Sequence, residues 1–157
     1  FYTDVRVPAA NLVGLEGNAF KQTMRQLEHE RGGIDRLVSN RAIYELALAR
    51  ADRDDPRVRQ RIARLESDYR IGRILVTREV LGQAPPGFSA ATKCFCTEHE
   101  WRVAEFVAAV FGAESMIWDD VTRGVVYAPG YTIMGGTSDV MRNILGERVL
   151  GLPREPR

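Results

Sequence analysis

The sequence predicts an all-α protein, an antiparallel up-and-down four-helix bundle preceded by an extended N-terminal segment. Three observations lead there. Apolar residues recur at three- and four-residue steps through most of the chain. Strong turn signals, Asp55-Pro56 and Pro85-Pro86-Gly87, cut that pattern into lengths suited to helices. No stretch alternates apolar and polar residues as a half-buried strand would.

Residues 1–17 read as a linker. Val5-Arg6-Val7-Pro8 is strand-like, Pro8 biases Val7 away from helix, and turn-forming residues fill Asn11 to Gly17. A long helix is expected from Asn18 to about Ala51, with Phe20, Met24, Leu27, Ile34, Leu37 or Val38, Leu46 and Leu48 marking its apolar side. At 1.5 Å per residue it would reach roughly 50 Å. Gly32 and Gly33 lie inside it, each costing roughly 1 kcal/mol relative to alanine, so a reason for them is required.

Asp55-Pro56 then supplies a capping carboxylate and a proline at the first helical turn, where its missing N–H does no harm. Val58, Ile62, Leu65, Tyr69, Gly72 and Val76 mark one face of this second helix, which should end near Gly82. A third helix is expected from about Ser89 to Phe111, with Phe95, Val103, Phe106, Val107 and Val110 inward and Gly112 as the stop. Periodicity weakens between Ala113 and Gly136, apart from a short helix at Ser115 to Thr122. The last helix follows Gly135-Gly136, capped by Thr137 or Ser138, with Asp139 suited to its positive end, and stops near Gly151. Residues 18–157 therefore form one bundle domain.

Composition narrows the function classes. The chain has 157 residues, 45% of them hydrophobic, which suits one packed domain. The net charge of +1, from 22 basic and 21 acidic residues, gives no whole-protein field for nucleic acid or a membrane surface. The arginine cluster in RADRDDPRVRQRIAR is interleaved with aspartates and has no aromatic stacking platform, so it reads as a solvated helix face. With no long apolar run and no signal-like start, a cytoplasmic location is expected, and a first residue other than methionine points to a piece of a longer protein. Cys94 and Cys96 diverge on a helix, which disfavours a mutual disulfide. With His99 they lack a fourth ligand at zinc-like spacing, so no metal site is assigned.

Four stretches carry a resemblance: FYTDVRVPAANLVGLEGNAFKQTM, LEHERGGI, KCFCTEHEWRVAEFVAAVFG and IMGGTSDVMRNILGERVLG. In order and across nearly the whole chain, they resemble the carboxy-terminal helical domain of the acyl-CoA dehydrogenases. The resemblance implies FAD as cofactor, an acyl-CoA substrate, and an electron-transfer flavoprotein or similar acceptor. The implied reaction is α,β-dehydrogenation: a glutamate takes the α-proton while the β-hydrogen leaves as hydride to the flavin. In the family this domain follows a helical and a β domain, neither of which is in this chain.

Most members place the base just before a Gly-Thr pair in the closing loop, where this sequence has Gly135. An isovaleryl-type minority places it before an arginine on the first helix, and Glu30-Arg31 matches that pattern. The resemblance thus implies Glu30 as base, the Gly135 N–H as donor to the thioester carbonyl, Gly136 and Thr137 beside the flavin, and Arg31 and Arg142 toward the substrate. Gly32 and Gly33 would make room for a flavin, a thioester or the Gly135-Gly136 loop. The bland reading makes Glu30 a surface residue and the glycines a tight helix crossing, and makes Arg142 a structural ion-pair residue.

Two family signatures that complete a neighbouring subunit's flavin site are missing. RADRDDPRVRQ replaces an Arg-x-x-Phe-Gly stretch, and AVFGAE replaces a Gln followed by a glycine-rich turn. A chain with a base but without these elements resembles one half of an unlike pair, as in the α2β2 members that some actinobacteria use on steroid side chains. A non-catalytic structural partner subunit is the alternative reading.

Overall fold

The computed structural model describes residues 1–154, so positions 155–157 of the expected domain lie outside the described residues. The expected all-helical bundle is borne out. Seven α-helices occur among the described residues: α1 (Ala19–Arg31), α2 (Asp35–Val38), α3 (Arg41–Arg50), α4 (Pro56–Val80), α5 (Ser89–Phe111), α6 (Asp120–Tyr131) and α7 (Ser138–Ile144). A π-turn, Leu145–Val149, extends α7 toward Gly151.

The signals at α4 and α5 act as expected. The Asp55 carboxylate accepts the Arg57 N–H at 2.7 Å, with Pro56 as the first helical residue. Gly112 ends α5 with φ of 56°, a conformation that costs glycine little.

Two expectations need correction. The single rod from Asn18 to Ala51 is three helices, because the chain leaves the helix at Gly32 and bends again near Ser39-Asn40. Between Ala113 and Gly136 lies a full helix, α6, rather than a short one at Ser115 to Thr122. Asp119 caps it by accepting the Thr122 N–H at 2.9 Å. In residues 1–17 a 3-10 turn at Ala9–Asn11 interrupts the extended chain, and no strand forms there.

Helix α5 packs against all six other helices and so forms the axis of the fold. Its buried surface runs around the helix rather than along one stripe, as expected for a central helix. One apolar cluster joins Ile43, Tyr44 and Ala47 of α3 to Leu65 of α4, Phe106 and Val107 of α5, and Val121 of α6. A second joins Leu37, Val76 and Cys96; a third sets Met141 of α7 against Ala90 and Cys94. Gly72 lets α4 approach α2, since a Cβ there would lie 2.5 Å from Leu37 Cδ1. This layout brings the end of α1, the start of α5 and the loop before α7 to one end of the bundle. Among the described residues, no helix is long and apolar enough to cross a membrane.

Candidate active site

The loop from Thr132 to Thr137 is bonded by cations from two helices and approached by one from a third. Arg31, the last residue of α1, donates from Nε to the Gly135 carbonyl at 3.1 Å. Lys93 of α5, fully buried, donates from Nζ to the Thr132 carbonyl at 3.1 Å, at the C-terminal end of α6 where a positive charge is favourable. Arg36 of α2 approaches Gly135, with Nη2 3.4 Å from the point where a Cβ would stand. Burial pushes the Lys93 ammonium below its usual range, the Cys94 thiol opposes this, and the charges of Arg36 and Arg31 add to it.

The loop backbone is unusual at Gly135 and Gly136, with φ of 68° and 97°, a region where side chains are strained. A Cβ at Gly136 would also lie 2.5 Å from Met141 Cε. The N–H groups of Gly135, Gly136 and Thr137 have no acceptor among the described residues. The Thr137 hydroxyl accepts the Val140 N–H at 3.2 Å and so starts α7. Its side chain is the cap, one of the two residues named from the sequence.

The structure thus brings Arg31, Gly135, Gly136 and Thr137 together. Glu30 sits one residue before the clamp, exposed, and its carboxylate makes no hydrogen bond or ion pair among the described residues. Arg142 turns away from the loop to pair with Glu98 of α5 and, at 3.5 Å, with Asp139.

Within this chain, what the glycine pair makes room for is α4, as in the tight-crossing alternative, and only Gly32 does so. A Cβ at Gly32 would collide with the Glu79 carboxylate of α4, 1.8 Å from Oε2, while at Gly33 nothing outside its own turn comes close. Glu79 is held there by the Thr92 hydroxyl. Burial raises the Glu79 carboxyl above the usual range; the Thr92 bond opposes the shift and the Glu28 charge adds to it.

A groove of about 450 Å³ runs beside α1, lined by Phe20, Met24, Arg25, Arg31, Ile144 and Arg148. Its apolar walls and three guanidinium groups suit a ligand with an apolar arm and an anionic end. It meets a second groove of about 410 Å³ where the Gly87 N–H donates to Glu28 Oε1 at 2.8 Å.

Sequence reasoning did not single out Lys93, Arg36 or Glu100. Lys93 and Glu100 share helical spacing with Cys96, Val103 and Val107, so the signal was two ionisable residues inside an apolar stripe. Glu100 Oε2 accepts the Asn40 N–H at 2.6 Å at the start of α3, while the Asn40 amide donates to the Glu100 carbonyl at 3.3 Å. Burial pushes the Glu100 carboxyl up to about 7, with the Asn40 bond opposing.

A model of the acyl-CoA dehydrogenase C-terminal domain matches residues 17–150. The chain is 32% identical over 172 residues to acyl-CoA dehydrogenase IpdE1 of Mycobacterium tuberculosis, covering 100% of this chain and 44% of that protein. It is 30% identical over 185 residues to acyl-CoA dehydrogenase FadE29 of the same organism, covering 100% and 46%. Among solved structures, a variant of the Tcur3481-Tcur3483 steroid ACAD superposes with a TM-score of 0.82 at 26% identity, covering 99% of this chain and 46% of that one. The ChsE4-ChsE5 complex from Mycobacterium tuberculosis superposes with a TM-score of 0.77 at 28% identity, with coverage of 99% and 46%. The chain therefore spans less than half the length of these relatives.

Proposed function

This chain belongs to the acyl-CoA dehydrogenase family as a C-terminal helical domain, and we propose that the protein carrying it dehydrogenates an acyl-CoA thioester with Glu30 as general base. The observation that carries this reading is the clamp between Arg31 and Gly135, which holds the residue next to the free Glu30 carboxylate against the closing loop.

The parts divide the chemistry as follows. The Glu30 carboxylate takes the α-proton; having no partner among the described residues, it gives up no hydrogen bond to do so. The Gly135 N–H receives the thioester carbonyl as charge grows on its oxygen, a contact that needs no side chain and contributes roughly 3 kcal/mol to barrier lowering. Positive φ at Gly135 and the Arg31 bond to its carbonyl hold the loop that presents this N–H. The loop also fits the edge of a flavin ring, since Gly136 and Thr137 present N–H donors without acceptors among the described residues. FAD, when bound, would supply the hydride acceptor, and an electron-transfer flavoprotein or similar protein would be the onward acceptor. Arg25, Arg31 and Arg148 give the 450 Å³ groove the charge to hold the anionic portion of a CoA ester.

The assembly we favour is a pair of unlike subunits. RADRDDPRVRQ and AVFGAE stand where homo-oligomeric members carry flavin-binding signatures, and the similar ChsE4-ChsE5 structure is a complex. Similarity to a steroid ACAD makes a steroid side chain, or another fatty acyl chain undergoing β-oxidation, the substrate class to try first. Replacing Glu30 with Gln in the full-length protein, assembled with its partner, tests the assignment. Acyl-CoA oxidation should fall by about 10²- to 10⁴-fold with flavin content unchanged. Retained oxidation would eliminate Glu30 as base and favour the structural-subunit alternative.

A further inference from the structure

Lys93 is a lysine without access to solvent, 0% exposed, and its neighbours on the same side of α5, Ala90, Cys96 and Thr97, are buried too. It takes part in no ion pair among the described residues. Its ammonium donates to the Thr132 carbonyl at 3.1 Å. That carbonyl does not depend on it, because the Ser138 N–H donates there at 2.9 Å and the Ser138 hydroxyl at 3.5 Å. A buried charge can often be exchanged for an apolar side chain of similar volume with no loss of stability. Local stability therefore gives no reason for a lysine here, and departures of that kind gather where function sets the residue.

The loop it touches is the one that carries the Gly135 N–H. Thr132 to Ser138 closes on itself through the Ser138 N–H, and two consecutive residues of α5 hold that closure. Lys93 takes the Thr132 carbonyl, and Cys94 Sγ donates to the Ser138 carbonyl at 3.5 Å. Arg31 bonds the tip of the loop, but on the Gly135 carbonyl. A peptide group is planar, so that bond orients the Gly135–Gly136 peptide, whereas the Gly135 N–H belongs to the one before it, Met134–Gly135. The earlier peptide is held from the other side. The Ile133 and Met134 N–H groups both donate to the Gly130 carbonyl at 3.0 Å, carrying the chain one turn beyond α6, and Lys93 fixes the Thr132 carbonyl within that turn. The Met134–Gly135 peptide is thus strung between the Arg31 bond and the turn that Lys93 anchors.

We propose that Lys93 is a positioning residue for acyl-CoA dehydrogenation: its buried ammonium pins the Thr132 end of the loop, so that the Gly135 N–H meets the thioester carbonyl. It acts through the loop backbone. A lysine suits this better than a neutral donor, because a charge-assisted hydrogen bond holds a carbonyl roughly twice as strongly. The inference rests on the role given above to the Gly135 N–H and is independent of which carboxylate takes the proton.

The test compares Lys93→Met with the wild type in the full-length protein assembled with its partner subunit. Methionine keeps an unbranched, adaptable stem and removes the charge. The variant should melt no lower than the wild type and keep its flavin, while kcat falls about 10- to 100-fold and KM changes by less than 3-fold. Hydrogen exchange at the Ser138 N–H, which closes the loop, should quicken at least 10-fold, with the rest of α5 unchanged. Lys93→Gln, a neutral donor on a shorter stem, should fall between the two in both kcat and exchange, and it decides the matter where the Met variant does not fold. Wild-type kcat, a loss that tracks the melting temperature, a change in KM alone, or unaltered Ser138 exchange would overturn the proposal. So would failure of both variants to fold, since Lys93 would then be a structural residue. Glu30→Gln should lower oxidation with Ser138 exchange at the wild-type rate. Retained oxidation in that variant removes the base assignment and leaves the Lys93 claim to be decided by its own kcat and exchange readings.

Discussion

Arg31 Nε holds the Gly135 carbonyl at 3.1 Å across 104 residues of sequence, tying the end of the helix that carries Glu30 to the loop that precedes α7. A peptide group is planar, so a carbonyl drawn toward Arg31 turns the Gly136 N–H to the opposite side, away from α1.

Arg31→Lys should therefore disturb geometry more than charge. A lysine ammonium keeps the positive charge but not the planar fork of donors, and a charge-assisted hydrogen bond is worth about 1.5–3 kcal/mol. In the assembled full-length enzyme, kcat should fall about 10- to 100-fold while the affinity for the CoA ester changes by less than 3-fold. A change confined to KM would instead mean that Arg31 acts on the CoA ester alone and that its bond to Gly135 plays no part in turnover.

Glu100 makes a pH prediction. Its carboxyl titrates at about 7 in the fold against an ordinary 4.5, because burial disfavours the anion. Between those values the folded state holds a proton that the unfolded chain has released, so rising pH through this window lowers stability. A shift of this size corresponds to about 3 kcal/mol. Glu100→Gln keeps an acceptor for the Asn40 N–H and removes the ionisation. Its melting temperature should gain on the wild type as pH rises from 5 to 8, and an equal offset at both pH values would contradict the assignment.

His99 acts with the opposite sign. Burial lowers its imidazole to about 4 from 6.5, Asp68 opposing, and Nδ1 has no partner among the described residues. The unfolded chain then binds a proton that the fold refuses, so stability is lost as pH falls from 6.5 toward 4. The Glu100 and His99 slopes oppose each other between about 4.5 and 6.5, making the wild-type profile shallow there. His99→Gln should remove the acid-side loss and expose the Glu100 slope, which thermal unfolding from pH 4.5 to 7.5 will resolve.

The local signals along the chain translated directly into structure. Asp55-Pro56 started α4, and Ser89 to Gly112 bounded α5 to the residue. Helix α6 was illegible because Gly124, Pro129, Gly130 and the β-branched Val121, Thr122, Val125 and Val126 give it poor intrinsic propensity; it forms because Asp119 caps it and Val121 and Ala128 are buried. In the site, Thr137 was legible as a cap, whereas the Arg31–Gly135 clamp joins residues with no local relation. Lys93 escaped notice because a lysine is expected at the surface, and only the fold supplies the Thr132 carbonyl it caps.

The glycine pair gives the last prediction, because the two residues do different things. A methyl group at Gly32 would force Glu79 aside, breaking its bond to Thr92 and leaving a half-buried carboxylate without its donor. Gly32→Ala should thus destabilise by about 1–3 kcal/mol, the usual cost of overpacking or of an unsatisfied buried group. At Gly33 the nearest atoms to a new Cβ are the Glu30 carbonyl at 3.6 Å and Asp35 Oδ2 at 3.9 Å, ordinary contact distances. Gly33→Ala should be neutral or stabilise by up to about 1 kcal/mol, because alanine restricts the unfolded chain. Denaturant unfolding of the two single variants decides it. Equal losses at both positions would mean that the pair is needed for the turn itself, and equal tolerance would mean that Glu79 yields without cost.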